Sequence, residues 1–256
     1  MRMDRNIFVL FQIGLIFFIF VGSSYGQDSD WSVRVGATGI YKPEYEGSDD
    51  YEYQGLPMIA ISWRDMIFLN PNNGLGAYLW NRNDVKIGAS IGYSFGRNEH
   101  KTSDLHGLGD IDGGATANIL FEWKIEDVFF DARYEQQFTG EDTGCQIHIG
   151  LGYDLRLWKK IMFKPSVRTT FASSDYMEKY FNISQSQSLR SCLPVYDSDS
   201  GFKSVGFQIM SMYILNRHWG FQTMARYDRL VGGAADSPVV KDENQYLSGL
   251  GLSYMF

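Results

Sequence analysis

Along most of the chain apolar and polar positions alternate with a period of two. From 85 to 95 the odd positions are Val85, Ile87, Ala89, Ile91, Tyr93 and Phe95, and the even ones are Lys86, Gly88, Ser90, Gly92 and Ser94. Alternate side chains of an extended chain point to opposite faces, so this segment reads as a strand with one apolar face and one face of small or polar residues. Segments 115–125 and 145–157 repeat the pattern, broken in the first only by Leu120. Weaker versions run over 31–41, 54–63, 65–70, 74–80, 127–138, 160–172, 201–215, 217–229 and 244–256. The pattern predicts an all-β protein of twelve strands, or ten if the short pieces 65–70 and 74–80 do not count. Several of these strands exceed the ~5–6 residues usual in soluble sheets and reach the ~9–11 that a tilted strand needs to cross a bilayer.

The connections carry the second signal. Taken alternately, one set is short (64, 81–83, 126, 158–159 and 216), and the other is mostly long (42–53, 71–73, 97–111, 139–142, 173–200 and 230–243). Transmembrane antiparallel β-barrels segregate their connections in this way, with tight periplasmic turns and long outer loops. A soluble sandwich or a lipocalin-like barrel has no reason to do so. Trp31, Tyr41, Trp63, Trp80, Trp123, Trp158 and Trp219 fall near strand ends, as an aromatic girdle requires. The last strand alternates through Tyr246, Leu250, Leu252 and Tyr254 to a terminal Phe256, which resembles the C-terminal signal by which such barrels are recognised for insertion.

One stretch departs from the alternation. Residues 7–21 form an apolar run behind Arg2 and Arg5, followed by the small-x-small end Ser24-Tyr25-Gly26. That is the layout of a cleaved secretory signal over 1–26, leaving a barrel over 27–256; a retained anchor helix wants ~20 apolar residues. The signal carries Arg2, Arg5 and Asp4, so 21 basic and 29 acidic residues remain, a net charge of −8. An acidic chain without a basic cluster disfavours nucleic acid as a partner. The expected location is the outer membrane of a Gram-negative bacterium, among its lipid and lipopolysaccharide.

Charged residues on the polar phase of the strands would face the lumen: Arg34, Lys86, Glu122, Lys124, Asp131, Arg133, Glu135, Asp154, Arg156, Lys164, Arg168, Arg226 and Asp228. Such a lining is either a solute path with a charged constriction or a salt-bridged filling of a modest barrel. His148 is the histidine within a clear strand, and Ser166 on the next strand could face it. An acyl-hydrolase reading follows from that pair, but no G-x-S-x-G elbow accompanies it. No catalytic centre, cofactor or metal is expected. His100 and His106, with Asp104, Asp110 and Asp112, read as a solvated outer loop, and so do Glu44, Glu46, Asp49, Asp50 and Glu52. Cys145 and Cys192 both fall on the outer side, where export permits a disulfide. Residues 174–182 are expected to form a short helix capped by Ser174, and Asp236-Ser237-Pro238 a turn or short helix.

Several segments match one family. Tyr41–Tyr51 carries P-x-Y-x-G-S-D as Pro43, Tyr45, Gly47, Ser48 and Asp49. Tyr180-Phe181, the run Ser200–Val205, His218-Trp219 and the run Arg226–Val239 add further matches. The last contains Arg229, Leu230, Ala234, Ala235, Asp236, Ser237 and Pro238. Together they resemble the MipA/OmpV family of outer-membrane proteins, the MltA-interacting protein family. Gly233 stands where that family usually has Asp, and Asn182 where a Gly often follows Tyr-Phe. The resemblance implies a scaffold that brings a lytic transglycosylase together with a peptidoglycan synthase. Other members are linked to adhesion, osmotic response or small-solute passage. The expected function is docking of envelope enzymes on a periplasmic rim of Arg64, Asp65, Arg82, Glu126, Lys159, Lys160 and Arg217. A small-solute pore is the alternative, and an outer-membrane lipid or ester hydrolase the third reading.

Overall fold

The computed structural model describes residues 30–82, 84–141, 143–157 and 160–256. The expected signal segment 1–26, the girdle residue Trp158 and the rim residue Lys159 lie outside the described residues. The strands are β1 (Trp31–Pro43), β2 (Tyr51–Trp63), β3 (Ile67–Asn70), β4 (Gly74–Arg82), β5 (Val85–Ser94), β6 (Gly114–Ile125) and β7 (Val128–Gln137). They continue as β8 (Cys145–Tyr153), β9 (Leu155–Leu157), β10 (Ile161–Ala172), β11 (Gly201–Ile214), β12 (Trp219–Leu230) and β13 (Asn244–Met255). Because β8 and β9 pair with β10 in one continuous register, interrupted at Asp154, they form a single stave. Every stave pairs antiparallel with its neighbours in sequence, and β1 pairs with β13 from Arg34↔Met255 to Tyr41↔Ser248. The result is a closed twelve-stranded barrel in which both short pieces, β3 and β4, take part.

Closure satisfies the strand amides without water, the condition for crossing hydrocarbon. The faces are inverted relative to a soluble protein. Ile91, Ile119, Val167 and Leu250 point outward and are each 56–60% exposed, while Ser90, Asn118, Ser166 and Ser253 are buried inside. Such a wall is stable only where lipid bathes its outer side. Glycines on the inward phase make room for charge: a Cβ on Gly150 would stand 2.6 Å from Asp131 Oδ1 and 3.0 Å from an Arg168 nitrogen.

The wall is not of even height. β3 is four residues long, and β2 pairs with it only through Ile61, Ser62 and Trp63. Pairing of β4 with β5 stops at Leu75↔Ile91. Among the described residues, the edge of β2 from Tyr51 to Ala60 therefore pairs with β1 but with no strand on its other side. The turn 71–73, at the outer end of the β3–β4 hairpin, stops partway up the wall.

The apolar core sits in the outer connections. Six of the largest fully buried side chains, Phe181, Leu105, Met177, Ile183, Leu230 and Val239, lie in outer loops or at an outer strand end. Helix α1 (Ser174–Tyr180) takes its N-terminal cap from Ser173, not from Ser174 as expected; the Ser173 hydroxyl accepts from the Tyr176 amide, so the helix is capped one residue earlier. Helix α2 (Gln185–Ser191), not among the expected elements, begins with a reciprocal Ser184–Gln187 capping box. The short helix α3 (Gly232–Ala235) precedes Asp236. The expected disulfide is absent, since Cys145 and Cys192 are both free. The two are held apart by different anchors: the Cys145 amide donates to Ser173 Oγ at the head of β8, whereas Cys192 ends α2, whose Arg190 donates to the Gly107 carbonyl.

Candidate functional site

The lumen holds a cavity of about 1010 Å³. Its lining runs from Asp84 and Glu126, at the short-turn end, through Lys86, Glu122, Lys124, Asp131, Asp154, Lys164 and Arg168 to Arg133, His148 and Arg226. The expected charges among these sit on the inward phase of their strands. Glu135 and Asp228 join them by pairing with lining residues. Arg34 lies on the same inward phase of β1, and Arg156, opposite Met162, is exposed on the inward phase of β9.

The signs are matched in pairs. Asp154 receives both Lys124 (2.7 Å) and Lys164 (3.1 Å), Arg168 meets Asp131 at 3.2 Å, Arg133 meets Glu135 at 3.3 Å, and Arg226 pairs with Asp228. Tyr78 donates to Glu122 at 2.5 Å while Lys86 lies over the Tyr78 ring. Pairing offsets the cost of setting these charges inside the wall, most of all for Asp154, whose side chain is 8% exposed. Arg133 also reaches the turn 71–73, donating to the Asn72 carbonyl at 2.7 Å.

The hydrolase pair is not assembled. His148 Nδ1 lies 3.2 Å from Thr170 Oγ1, and its register partner on β10 is Thr170. Ser166 pairs with Gly152, four positions further along, about 13 Å away at a strand rise of ~3.3 Å per residue. Across neighbouring strands the same phase brings residues to one face but not to one height. His148 Nε2 and Arg133 Nε have no hydrogen-bond partner among the described residues.

Above the cavity, outer loops converge on one polar knot. Lys203, 5% exposed at the head of β11, donates to Gln146 Oε1 at 2.7 Å and pairs with Glu46 at 2.9 Å. Tyr176 of α1 donates to Glu46 at 3.2 Å, and the Lys203 ammonium lies 4.5 Å from its ring centre. Burial pushes the Tyr176 phenol well above its ordinary pKa, so it stays a neutral donor. From the connection just after β5, Arg97 donates to the Tyr180 carbonyl at 2.9 Å. α1 is thus tied to that connection, to β8, to β11 and to the first loop, and so lies across the outer mouth.

The family-motif residues build this cap. Tyr45 donates its hydroxyl to the Val239 carbonyl at 3.2 Å, Gly47 donates its amide to Gln245 Oε1 at 3.1 Å, and Gln245 donates to the Ser48 carbonyl. Gly47 has φ +96°, and a Cβ there would lie 2.7 Å from Val240 Cγ2. Ser237 donates to the Phe181 carbonyl at 2.5 Å, while Leu230 and Ala234 pack on Phe181 and Met177. Arg229 leaves the cluster to meet Glu243 at the surface. Pro43 ends β1, Asp49 is exposed beside the buried Ser48, and Ala235 packs at the margin of the apolar cluster. Asp236 and Pro238 flank Ser237.

Two of the acidic groups expected in the first outer loop also tie elements together. Glu46 is held in the knot, and Glu52 meets Lys42 at 3.1 Å and Lys101 at 2.6 Å. His100 and His106 stand ring to ring at 6.1 Å. The amides of Gly109 and Gly107, each 2.9 Å from Glu99, hold its carboxyl below the usual carboxylate range. At the short-turn end Arg64, Asp65, Arg82, Glu126, Lys160 and Arg217 are exposed. Arg64 and Arg82 lie over the rings of Trp63 and Trp80 at 5.0 and 5.3 Å.

The knot escaped the sequence reading because its members are distant: Glu46 and Lys203 are 157 positions apart. A lysine heading a strand inside the matched run Ser200–Val205 was the one local sign of it.

A family profile described as "MltA-interacting protein MipA" matches residues 35–256. The outer membrane protein OmpV of Vibrio cholerae serotype O1 is 24% identical over 251 residues, 92% of this chain and 90% of the relative. Omp26La of Vibrio anguillarum, also an outer membrane protein, is 22% identical over 251 residues with the same coverage. Among solved structures, the NanC porin aligns with a TM-score of 0.48 at 10% identity, covering 86% of this chain and 98% of that one. The CymD monoaromatic hydrocarbon channel aligns at 0.46 and 8% identity, covering 90% and 89%.

Proposed function

Since the chain belongs to the MipA family of outer-membrane barrels, we propose that it is a membrane-anchored docking protein for periplasmic envelope enzymes, in the first place a lytic transglycosylase and a peptidoglycan synthase. The observation that carries this reading is the cap. α1 and its knot lie across the outer mouth, so the barrel offers proteins its short-turn end, while lipid and lipopolysaccharide surround the wall. Six charges of both signs on that rim, two of them stacked on tryptophans, give a rigid edge on which a complementary surface can settle. Rim charges set encounter rate and partner choice more than raw affinity.

The test is capture of a lytic transglycosylase by the barrel in lipid nanodiscs. Reversal at Arg64→Glu, Arg82→Glu, Lys160→Glu and Arg217→Glu together should lower capture at least tenfold at low salt. Undiminished capture contradicts the reading. The charged cavity favours a second reading, a small-solute pore, whose sign would be a steady conductance that shifts with Arg226→Gln.

A further inference from the structure

The low β3–β4 hairpin leaves a notch in the outer half of the wall. Its flanks are the unpaired edge of β2 and the end of β5, its sill is the turn 71–73, and Lys101, bonded to Glu52 and to the Glu44 carbonyl, crosses above it. Two missing half-strands separate the flanks by about 14 Å, three strand spacings. Residues 53–57 of β2 are exposed in succession, including Gln54 and Leu56 on the inward phase.

Tyr41 and Tyr53, with ring centres 4.6 Å apart, mark the outer interface, and Trp31 and Trp63 mark the inner one. The notch therefore opens at the depth of the outer leaflet, where a bare strand edge would be costly unless something meets it. A second strand is a poor occupant, because Pro57 in the middle of this edge has no amide to donate. The inner side of the sill belongs to the cavity, since Asn72 and Asn73 line it. There Arg133 bonds the Asn72 carbonyl and pairs with Glu135, while Arg133 Nε and His148 Nε2 have no hydrogen-bond partner among the described residues.

We propose that the notch is a lateral window through which an anionic single-chain amphiphile enters from the outer leaflet, its head group lodging against Arg133 beside His148 and its tail remaining between Leu56 and the lipid. The apolar frame and the Arg133 guanidinium, which pairs with Glu135 but keeps its Nε without a partner among the described residues, meet at one opening, which is the arrangement an acyl carboxylate or phosphate requires. The route is independent of any enzyme docked on the rim.

The test uses the full barrel in nanodiscs with Cys145→Ser and Cys192→Ser, and bimane attached at Gln208→Cys, a cavity position on β11 away from the window. Stearate carrying a nitroxide at carbon 5 is the anionic probe, and a lysophosphocholine with the same label is the zwitterionic control. The window predicts at least threefold stronger quenching by the stearate. Arg133→Gln should remove that preference, and Gln54→Trp with Leu56→Trp should remove the quenching itself, with heat-modifiable gel mobility reporting that each barrel is folded. Absence of quenching in the unfilled barrel overturns the proposal without recourse to the filled variant. Equal quenching by both probes overturns the head-group assignment, and quenching that survives window filling overturns the lateral route.

Discussion

The wall and the cap are stabilised by opposite means. In the wall, large apolar side chains face outward and lipid is their solvent, so the strands need no dry interior and instead enclose paired charges. In the cap, loops that would be solvated in a simpler barrel bury Phe181, Leu105 and Met177 around a lysine–glutamate–tyrosine knot. The lesson is that removal of one apolar side chain means different things in the two regions. In the cap it leaves a void; in the wall it trades one contact with lipid for another.

The sharpest contrast is therefore between Phe181→Ala and Leu250→Ala. A fully buried phenylalanine cut to alanine should cost the cap about 3–5 kcal/mol. The 60% exposed Leu250 should cost well under about 1 kcal/mol, lipid replacing most of what is lost. Protease nicking of 173–200 in nanodiscs, beside the gel mobility of the barrel, separates the two: the first variant should be nicked with the barrel intact, the second not nicked at all. Equal responses would erase the distinction.

A smaller effect should follow from Lys203→Met. It leaves Glu46 and Gln146 Oε1 without their shared donor, for about 2 kcal/mol in the cap, and Glu46→Gln added to it should restore part of the loss. If the double variant is as weak as the single one, the knot does not act through charge.

The smallest effect is in the acid range. The glycine amides bind the ionised form of Glu99, so its carboxyl titrates lower in the folded loop than in an unfolded one. That stabilisation is present above the unfolded pKa of about 4.3 and is lost as pH falls through the folded value. Hydrogen exchange at Gly107 and Gly109 should therefore quicken below about pH 4, once the intrinsic pH dependence is divided out. Glu99→Gln should exchange fast throughout. Amides that stay protected in acid would show that packing, not the carboxylate, orders this loop.

What the sequence disclosed follows the same division. Period two and the unequal connections announced the barrel, because a wall bathed in lipid must repeat its pattern on every strand. The inward charges could be named one by one for the same reason. The cap obeys no period: Tyr45 meets Val239 across 194 positions, and irregular loops carry its apolar residues. The Ser184–Gln187 box was legible and marks α2 locally. The disulfide between Cys145 and Cys192 rested on side of membrane alone, which says nothing of distance within a loop of that length. The notch was hidden in plain lengths, a four-residue β3 beside a thirteen-residue β2, and only the pairing register showed what that difference leaves open.

The account stands most directly on the closure of the outer mouth. Single barrels in a planar bilayer should stay electrically silent when intact and should pass a steady current once Phe181→Ala and Lys203→Met loosen the cap. A steady, ohmic current through the intact protein, unchanged by those substitutions, would contradict it.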